Sequence, residues 1–133
     1  MATNADWTVV FDDKKIIKQS GDAAGTAYEI SDDSFWNDSK FANIWAIQYG
    51  TSVTSDEVEY RDDTAHTSFA DADIGDISQF SSRWDSAHLA QLQSDWDNDN
   101  VQVEDPAGSE TFRAETSDEK IARLGARPTS YSS

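Results

Sequence analysis

Residues 43–49 read Asn-Ile-Trp-Ala-Ile-Gln-Tyr and form the clearest strand pattern of the chain. The stretch is rich in β-branched and aromatic residues, which favour strands over helices. Successive side chains of a strand point to opposite faces. The stretch is therefore expected to divide its side chains between two faces, with Ile44, Ala46 and Gln48 on one and Trp45, Ile47 and Tyr49 on the other.

Four neighbouring segments also have strand character, at residues 7–11, 14–18, 26–30 and 57–60. Asp12 and Asp13 separate the first two segments, and a two-residue turn between two such runs favours a hairpin. Gly50 begins a turn after which residues 57–60 return to pair with the strand at 43–49. The pattern predicts a small antiparallel β-sheet body.

After Asp76, an expected N-cap, the apolar residues follow helical spacing. The first set lies on one helix face and comprises Ile77, Phe80, Trp84 and Ala87. The second set has similar spacing but another phase, and comprises Leu89, Leu92 and Trp96. The change of phase predicts either one helix that bends near Ser86 or two short helices. Polar residues at 97–100 end the helical pattern.

The C-terminal part differs from the rest in charge. Residues 1–112 carry 23 acidic and 6 basic residues, a net charge of −17, whereas residues 113–133 have a net charge of +1. After a further strand at residues 101–103, Ser117 is expected to cap a short helix that ends at Gly125. The fold class is therefore predicted to be α+β: a β-rich acidic body over residues 1–112, with an extended C-terminal arm containing one short helix over residues 113–133.

Two interpretations of the arm remain open. It is either a frayed terminus or a segment that orders on a neighbouring subunit, whose acidic body would attract it. On the second interpretation, the arm residues expected at the interface are Arg123, Leu124, Arg127 and Tyr131.

Three aromatic residues, Phe35, Trp36 and Phe41, stand among polar residues, whereas most others fall on apolar phases and are assigned to the core. Exposed aromatic residues often anchor interfaces, so these three are candidates for a contact with another subunit. The alternative is that they cover the end of the sheet.

The composition excludes several classes of partner and chemistry. With 26 acidic and 10 basic residues, the net charge is −16, and no basic face is visible for binding nucleic acid or an anionic membrane. The chain has no cysteine, which removes disulfides and thiolate chemistry. Its two histidines are far apart, and no phosphate-binding loop or nucleophile motif occurs. The sequence predicts neither catalytic residues nor a cofactor, and thus no enzyme.

Asp95, Asp97 and Asp99 have the spacing that begins a calcium-binding loop. The twelfth position of such a loop requires a bidentate glutamate, and here it is Pro106. These aspartates are therefore only a weak calcium candidate. The sequence favours the alternative, a helix end capped by polar residues.

Four motifs together resemble small proteins of tailed bacteriophages, including those of marine cyanobacterial phages. They are Asp6-Trp7, residues 43–49, residues 56–60 and the helical pattern Ile77-x-x-Phe80-x-x-x-Trp84. In that family an Ala-Ile-Gln-aromatic strand precedes a (Val/Ile)-Glu-(Tyr/Phe) strand and a short helix that ends in Trp. The resemblance covers residues 6–96 and supplies no catalytic residue.

The resemblance implies a non-enzymatic structural protein of the phage capsid, neck or tail. Such a protein is made in the host cytoplasm and located in the virion, where aromatic and terminal-arm contacts attach it to other virion proteins. A homo-oligomer or an ordered array in the particle is the expected assembly. Two alternatives stay open: a transient tail-fibre-assembly chaperone, and an acidic DNA mimic that inhibits a host nucleic-acid-binding protein.

Overall fold

The computed structural model describes residues 6–50, 56–105 and 111–132, and these ranges form an α+β fold, as predicted. The strands are β1 (Trp7–Val10), β2 (Lys15–Lys18), β3 (Ala27–Glu29), β4 (Ile44–Tyr49), β5 (Glu57–Tyr60), β6 (Gln102–Glu104) and β7 (Phe112–Ala114). The helices are α1 (Asp33–Trp36), α2 (Phe69–Ala72), α3 (Ser78–Asn98) and α4 (Ser117–Leu124), with a 3₁₀ turn at Ser39–Phe41.

Five strands form one antiparallel sheet in the order β3-β2-β1-β4-β5. The predicted hairpin between β1 and β2 is confirmed, with Trp7 opposite Lys18 and Val10 opposite Lys15. β4 pairs with β1 on one side and with β5 on the other. The segment at residues 43–49 therefore holds the N-terminal hairpin and the returning strand in one sheet.

The regular alternation predicted for β4 is interrupted. The pairing of β4 with β5 shifts between Ile44 and Ala46, which is the signature of a β-bulge. An extra residue in one strand moves the side chains beyond it to the other face, so Ile44 and Ile47 are both buried while Trp45 is 44% exposed. The expected grouping of Trp45 with Ile47 on one face is corrected accordingly.

The core of the sheet lies on one face, where five side chains are fully buried: Trp7, Val9, Ile16, Ile47 and Val58. Ile77, Phe80 and Trp84 of the first apolar set are buried as well, and the ring centroids of Trp84 and Trp7 lie 5.5 Å apart. Trp84 also donates a hydrogen bond from Nε1 to the carbonyl of Thr26, at 3.0 Å. Burying one large apolar side chain contributes about 1.5–3 kcal/mol, so these residues supply much of the stability of the sheet.

Trp36 and Phe41 belong to this core rather than to an interface. They are 7% and 2% exposed, and both rings contact Phe11 just beyond the end of β1. The expected contact with another subunit is therefore corrected for these two residues, which cover the end of the sheet. Phe35 is half-buried, and the guanidinium of Arg83 lies 3.8 Å from its ring centroid.

The chain forms two compact units: the second comprises His88–Tyr131, and the first comprises the residues up to Ala87 together with those after Tyr131. This division differs from the predicted boundary after residue 112. α3 is a single unbroken helix of 21 residues, so the alternative of two short helices is wrong. Its first residues follow Asp76, whose carboxylate accepts a hydrogen bond from the Ser78 N–H, at 2.9 Å.

The second unit contains the hairpin of β6 and β7, which pair antiparallel, together with α4. β6 lies where a strand was expected, but β7 was not predicted. β7 has only three residues, and its two apolar residues, Phe112 (68% exposed) and Ala114, are exposed, so its short alternation does not mark a buried face. Among the described residues, no helix combines the length and apolarity needed to cross a membrane.

Candidate functional site

The second unit brings together two sets of residues that the sequence presented separately. One is the acidic helix end, residues 95–100, where α3 finishes. The other is the C-terminal arm, described here over residues 113–132. Basic side chains of the arm bind carboxylates and carbonyl groups of the acidic helix end.

Arg127 forms the simplest of these contacts. Its Nε and Nη2 atoms each donate a hydrogen bond to one carboxylate oxygen of Asp97, both at 2.9 Å. Such bidentate pairs fix the orientation of both groups as well as attracting them. The hydrogen bond from Arg127 lowers the pKa of Asp97 below its usual value, so this carboxylate stays ionised to lower pH.

Arg123 binds one carboxylate within the arm and one residue of the acidic helix end. Its Nε and Nη2 atoms donate to the two carboxylate oxygens of Glu115, at 3.1 and 2.6 Å. Its Nη1 donates to the carboxylate of Asp99 at 3.0 Å, and Nη2 also donates to the Asp99 carbonyl at 2.8 Å. Arg123 lowers the pKa of Glu115, whose side chain is almost fully buried.

Lys120 of α4 is 8% exposed and lies against the end of α3. Its Nζ is 4.1 Å from the ring centroid of Trp96 and donates to Oδ1 of Asn100 at 2.7 Å. The C-terminal end of a helix carries partial negative charge, which favours a cation there. Sequence analysis did not identify Lys120, because lysine ordinarily marks a solvent-exposed position.

The arm helix α4 begins with a capping box. Thr116 is the N-cap, and its hydroxyl accepts from the Glu119 N–H while Glu119 accepts from the Thr116 N–H. This corrects the expected N-cap, Ser117, which is the first helical residue. Arg113 donates to both oxygens of Glu119, at 2.7 and 3.0 Å, and this contact, together with the Thr116 N–H, lowers the pKa of Glu119 to about 2.

A small groove of about 220 Å³ lies within the second unit. Its apolar lining is Leu92, Trp96, Leu124, Ala126 and Pro128, and Asp95 and Asp99 complete it. Two hydrogen bonds fix the arm backbone along the helix: Trp96 Nε1 donates to the Gly125 carbonyl, and Gln93 Nε2 donates to the Pro128 carbonyl. The second apolar set of α3 is thus out of phase with the first because it faces the arm.

All four arm residues predicted at an interface have contacts inside the second unit. Arg123 and Arg127 form the ion pairs described above, and Leu124 lines the groove. The ring of Tyr131 meets the ring of His88 edge-on, with centroids 4.5 Å apart. The arm is therefore ordered on its own chain in the structure, not frayed.

The calcium candidate is corrected by the same contacts. Asp95 and Asp97 lie within α3, where residues two positions apart point to nearly opposite sides of the helix. Asp95 accepts from Gln91, Asp97 pairs with Arg127, and Asp99 pairs with Arg123. In the part of the chain that the structure describes, these carboxylates do not converge on one point. Pro106 lies outside the described residues.

The chain matches no protein-family model, no curated protein and no solved structure. The resemblance of residues 6–96 to phage proteins accordingly rests on their sequence motifs. In the described residues, ion pairs from Arg123 and Arg127, a cation–π contact of Lys120 and an apolar groove join the arm to the helix end.

Proposed function

We propose that the chain is a non-enzymatic structural protein of a tailed-phage particle, in the capsid, neck or tail. It attaches to neighbouring copies by exchanging its C-terminal arm. The observation that carries this proposal is the way the arm is held, through ion pairs between its arginines and the acidic helix end.

The ion pair between Arg127 of the arm and Asp97 has favourable hydrogen-bond geometry but contributes little free energy of stabilisation. The side chains of Arg127 and Asp97 are both nearly half exposed, and exposed ion pairs contribute only about 0–1 kcal/mol. Every copy of the chain has the same acidic helix end. An arm that leaves its own helix end therefore finds identical acceptors on a neighbouring copy, and exchange preserves the contacts at little cost.

The charge distribution supports the same mode of attachment. Residues 1–112 have a net charge of −17, so two bodies repel each other, whereas residues 113–133 have a net charge of +1. Complementary charges favour association of the arm with an acidic surface and disfavour contacts between two bodies. Association through the arm is thus the electrostatically favoured way for copies to meet.

The proposed location is tested by mass spectrometry of purified particles of the phage that encodes the chain, with its copy number determined. A fixed copy number per particle is the expected result. Absence from particles that were assembled in cells containing the protein would contradict a virion role. That outcome would favour the chaperone or the DNA mimic and direct the search to host partners.

The proposed arm exchange is tested by cross-linking, because the chain has no cysteine. One variant carries Asp95→Cys and a second carries Ala126→Cys, both lining the groove between the helix end and the arm, so the ion pairs of Arg123 and Arg127 stay intact. A short thiol-reactive linker can join these single cysteines only between two chains, and a mixture of the two variants is expected to give covalent dimers. The matched control replaces Asp95→Cys by Asp12→Cys, and equal dimer yields in both mixtures would refute the exchange.

A further inference from the structure

Three metal-ligating side chains converge in the first unit, at the edge strand β5. Glu57, Glu59 and His66 each offer one ligand atom, and these atoms all lie within 4.8 Å of one another. The His66 Nδ1 atom is 3.4 Å from a carboxylate oxygen of Glu57. Ligands that bind one cation at about 2.0–2.6 Å have separations of this size. We propose that these three residues bind one divalent transition-metal cation.

The backbone register places the three side chains together. Glu57 and Glu59 flank the fully buried Val58 on β5, so both carboxylates lie on the face opposite the core. Val58 and Thr67 form an antiparallel bridge, with the Val58 N–H donating to the Thr67 carbonyl at 2.7 Å. In this register His66 lies across from Glu59.

A side-chain contact adds to this ordering. The hydroxyl oxygens of Tyr60 and Thr67 are 2.7 Å apart and form a hydrogen bond between β5 and the segment that carries His66. The ligands therefore come from two segments whose separation is set by backbone and side-chain hydrogen bonds. A site ordered in advance loses little entropy when a cation binds.

The charge of the cluster favours a cation. Two carboxylates at this separation repel each other, and in the described part of the chain no lysine or arginine forms an ion pair with Glu57 or Glu59. Other carboxylates of the first unit, such as Asp32 with Arg83, have an arginine partner. A divalent cation would supply the missing positive charge.

The ligand types select the class of cation. Imidazole nitrogen suits zinc and related transition metals, whereas calcium and magnesium prefer sites made of oxygen ligands alone. Three protein ligands leave coordination positions for water or for a group from another molecule. The bound ion would link β5 to the connection that follows it, and so would stabilise this edge of the folded sheet.

The test is titration of the full chain with zinc chloride after removal of metal by a chelator. Isothermal titration calorimetry is expected to show one saturable zinc site per chain, and zinc is expected to raise the melting temperature. Bound zinc should also shift the imidazole NMR signals of His66 and leave those of His88 in place. Failure to find saturable one-to-one binding would overturn the proposal.

Variants separate this site from general attraction to an acidic chain. His66→Ala and the double variant Glu57→Gln/Glu59→Gln should each bind zinc at least about tenfold more weakly. His88→Ala removes the other histidine of the chain and should bind as the wild type does. His66 is 52% exposed, so its variant should keep the apo circular dichroism spectrum. Equal affinities of His66→Ala and His88→Ala, or displacement of zinc by equimolar calcium, would refute the site.

Discussion

Three arginines of the arm each donate two hydrogen bonds to a single carboxylate. The pairs are Arg113 with Glu119, Arg123 with Glu115, and Arg127 with Asp97. The planar guanidinium matches the two oxygens of a carboxylate, whereas the ammonium group of lysine does not. At the scale of single residues, the second unit is therefore held by directional contacts that depend on ionised carboxylates.

These contacts predict how the stability of the second unit depends on pH. Glu119 has a folded pKa of about 2, below its ordinary value of 4.5, and the pKa values of Asp97 and Glu115 are also lowered. A carboxylate whose pKa is lower in the folded than in the unfolded state stabilises the fold at pH values above its unfolded-state pKa. This stabilisation is lost as the pH falls through the folded-state pKa. The second unit should lose stability between about pH 4.5 and pH 2.

The measurement is urea unfolding at a series of pH values, followed by the NMR signal of the Trp96 indole N–H. The Glu119→Gln variant cannot ionise at this position, so its stability should change less over the same pH range. Stability that stays constant or rises as the pH falls below 4.5 would contradict the role assigned to these carboxylates.

The N-cap of α4 gives a second prediction at this scale. Replacement of an N-cap threonine by alanine costs about 1 kcal/mol, so Thr116→Ala should destabilise the second unit by that amount. The neighbouring Ser117→Ala variant is the matched control, because Ser117 is the first helical residue and not the cap. Urea unfolding measures both. A larger loss for Ser117→Ala would show that the cap is misassigned.

Elements with strong periodicity could be predicted from the sequence. Apolar residues alternate with others in strands β1, β2, β4 and β5, and they follow helical spacing in the first apolar set of α3. This periodicity arises because each of these elements has one face in the core. The bulge in β4 could not be predicted, since Ile44, Trp45 and Ile47 fit a regular strand equally well. α2 has four residues and one buried side chain, Phe69, which is too little for a periodic signal.

The burial of two tryptophans, Trp84 in α3 and Trp45 in β4, predicts different losses of stability when each is replaced by alanine. Trp84 is fully buried on the sheet, and replacing a buried tryptophan by alanine costs about 3–5 kcal/mol. Trp45 lies in β4 with its side chain partly in solvent, so Trp45→Ala should cost much less than Trp84→Ala. Thermal unfolding of the two variants is the measurement. Similar losses would contradict the assignment of the first apolar set to the core.

For the whole molecule, the sequence singled out both the C-terminal arm and the acidic helix end, but it did not predict that they bind each other. Arg123 and Arg127 were expected to contact an acidic body, and Asp97 was considered as a metal ligand. Their direct contact depends on the position of the arm in three dimensions, which no local pattern encodes. The predicted boundary after residue 112 followed a change in net charge. The compact unit His88–Tyr131 instead combines residues of the acidic part, 1–112, with residues of the part of net charge +1, 113–133.

The two units predict the effect of removing the arm. The hydrogen bonds described above for Arg113, Lys120, Arg123 and Arg127 lie within the second unit. Deletion of residues 113–133 should therefore leave the melting temperature of the first unit nearly unchanged, while abolishing assembly with other copies. Calorimetry measures the first effect, and incorporation into particles measures the second. Unfolding of the sheet on deletion would contradict the proposed role of the arm.

The positions of the basic side chains have a consequence for proteolysis. The chain has no lysine or arginine between Arg83 and Arg113, so a trypsin-like protease that attacks the second unit must cut in the arm. There Lys120 is buried against Trp96, and Arg123 is held by Glu115 and Asp99. Cleavage after these residues requires the arm to open, so the rate of digestion reports how often it opens. A copy whose arm stays bound, on its own chain or on a neighbour, keeps its arm during digestion. A copy whose arm stays open loses its arm to the protease.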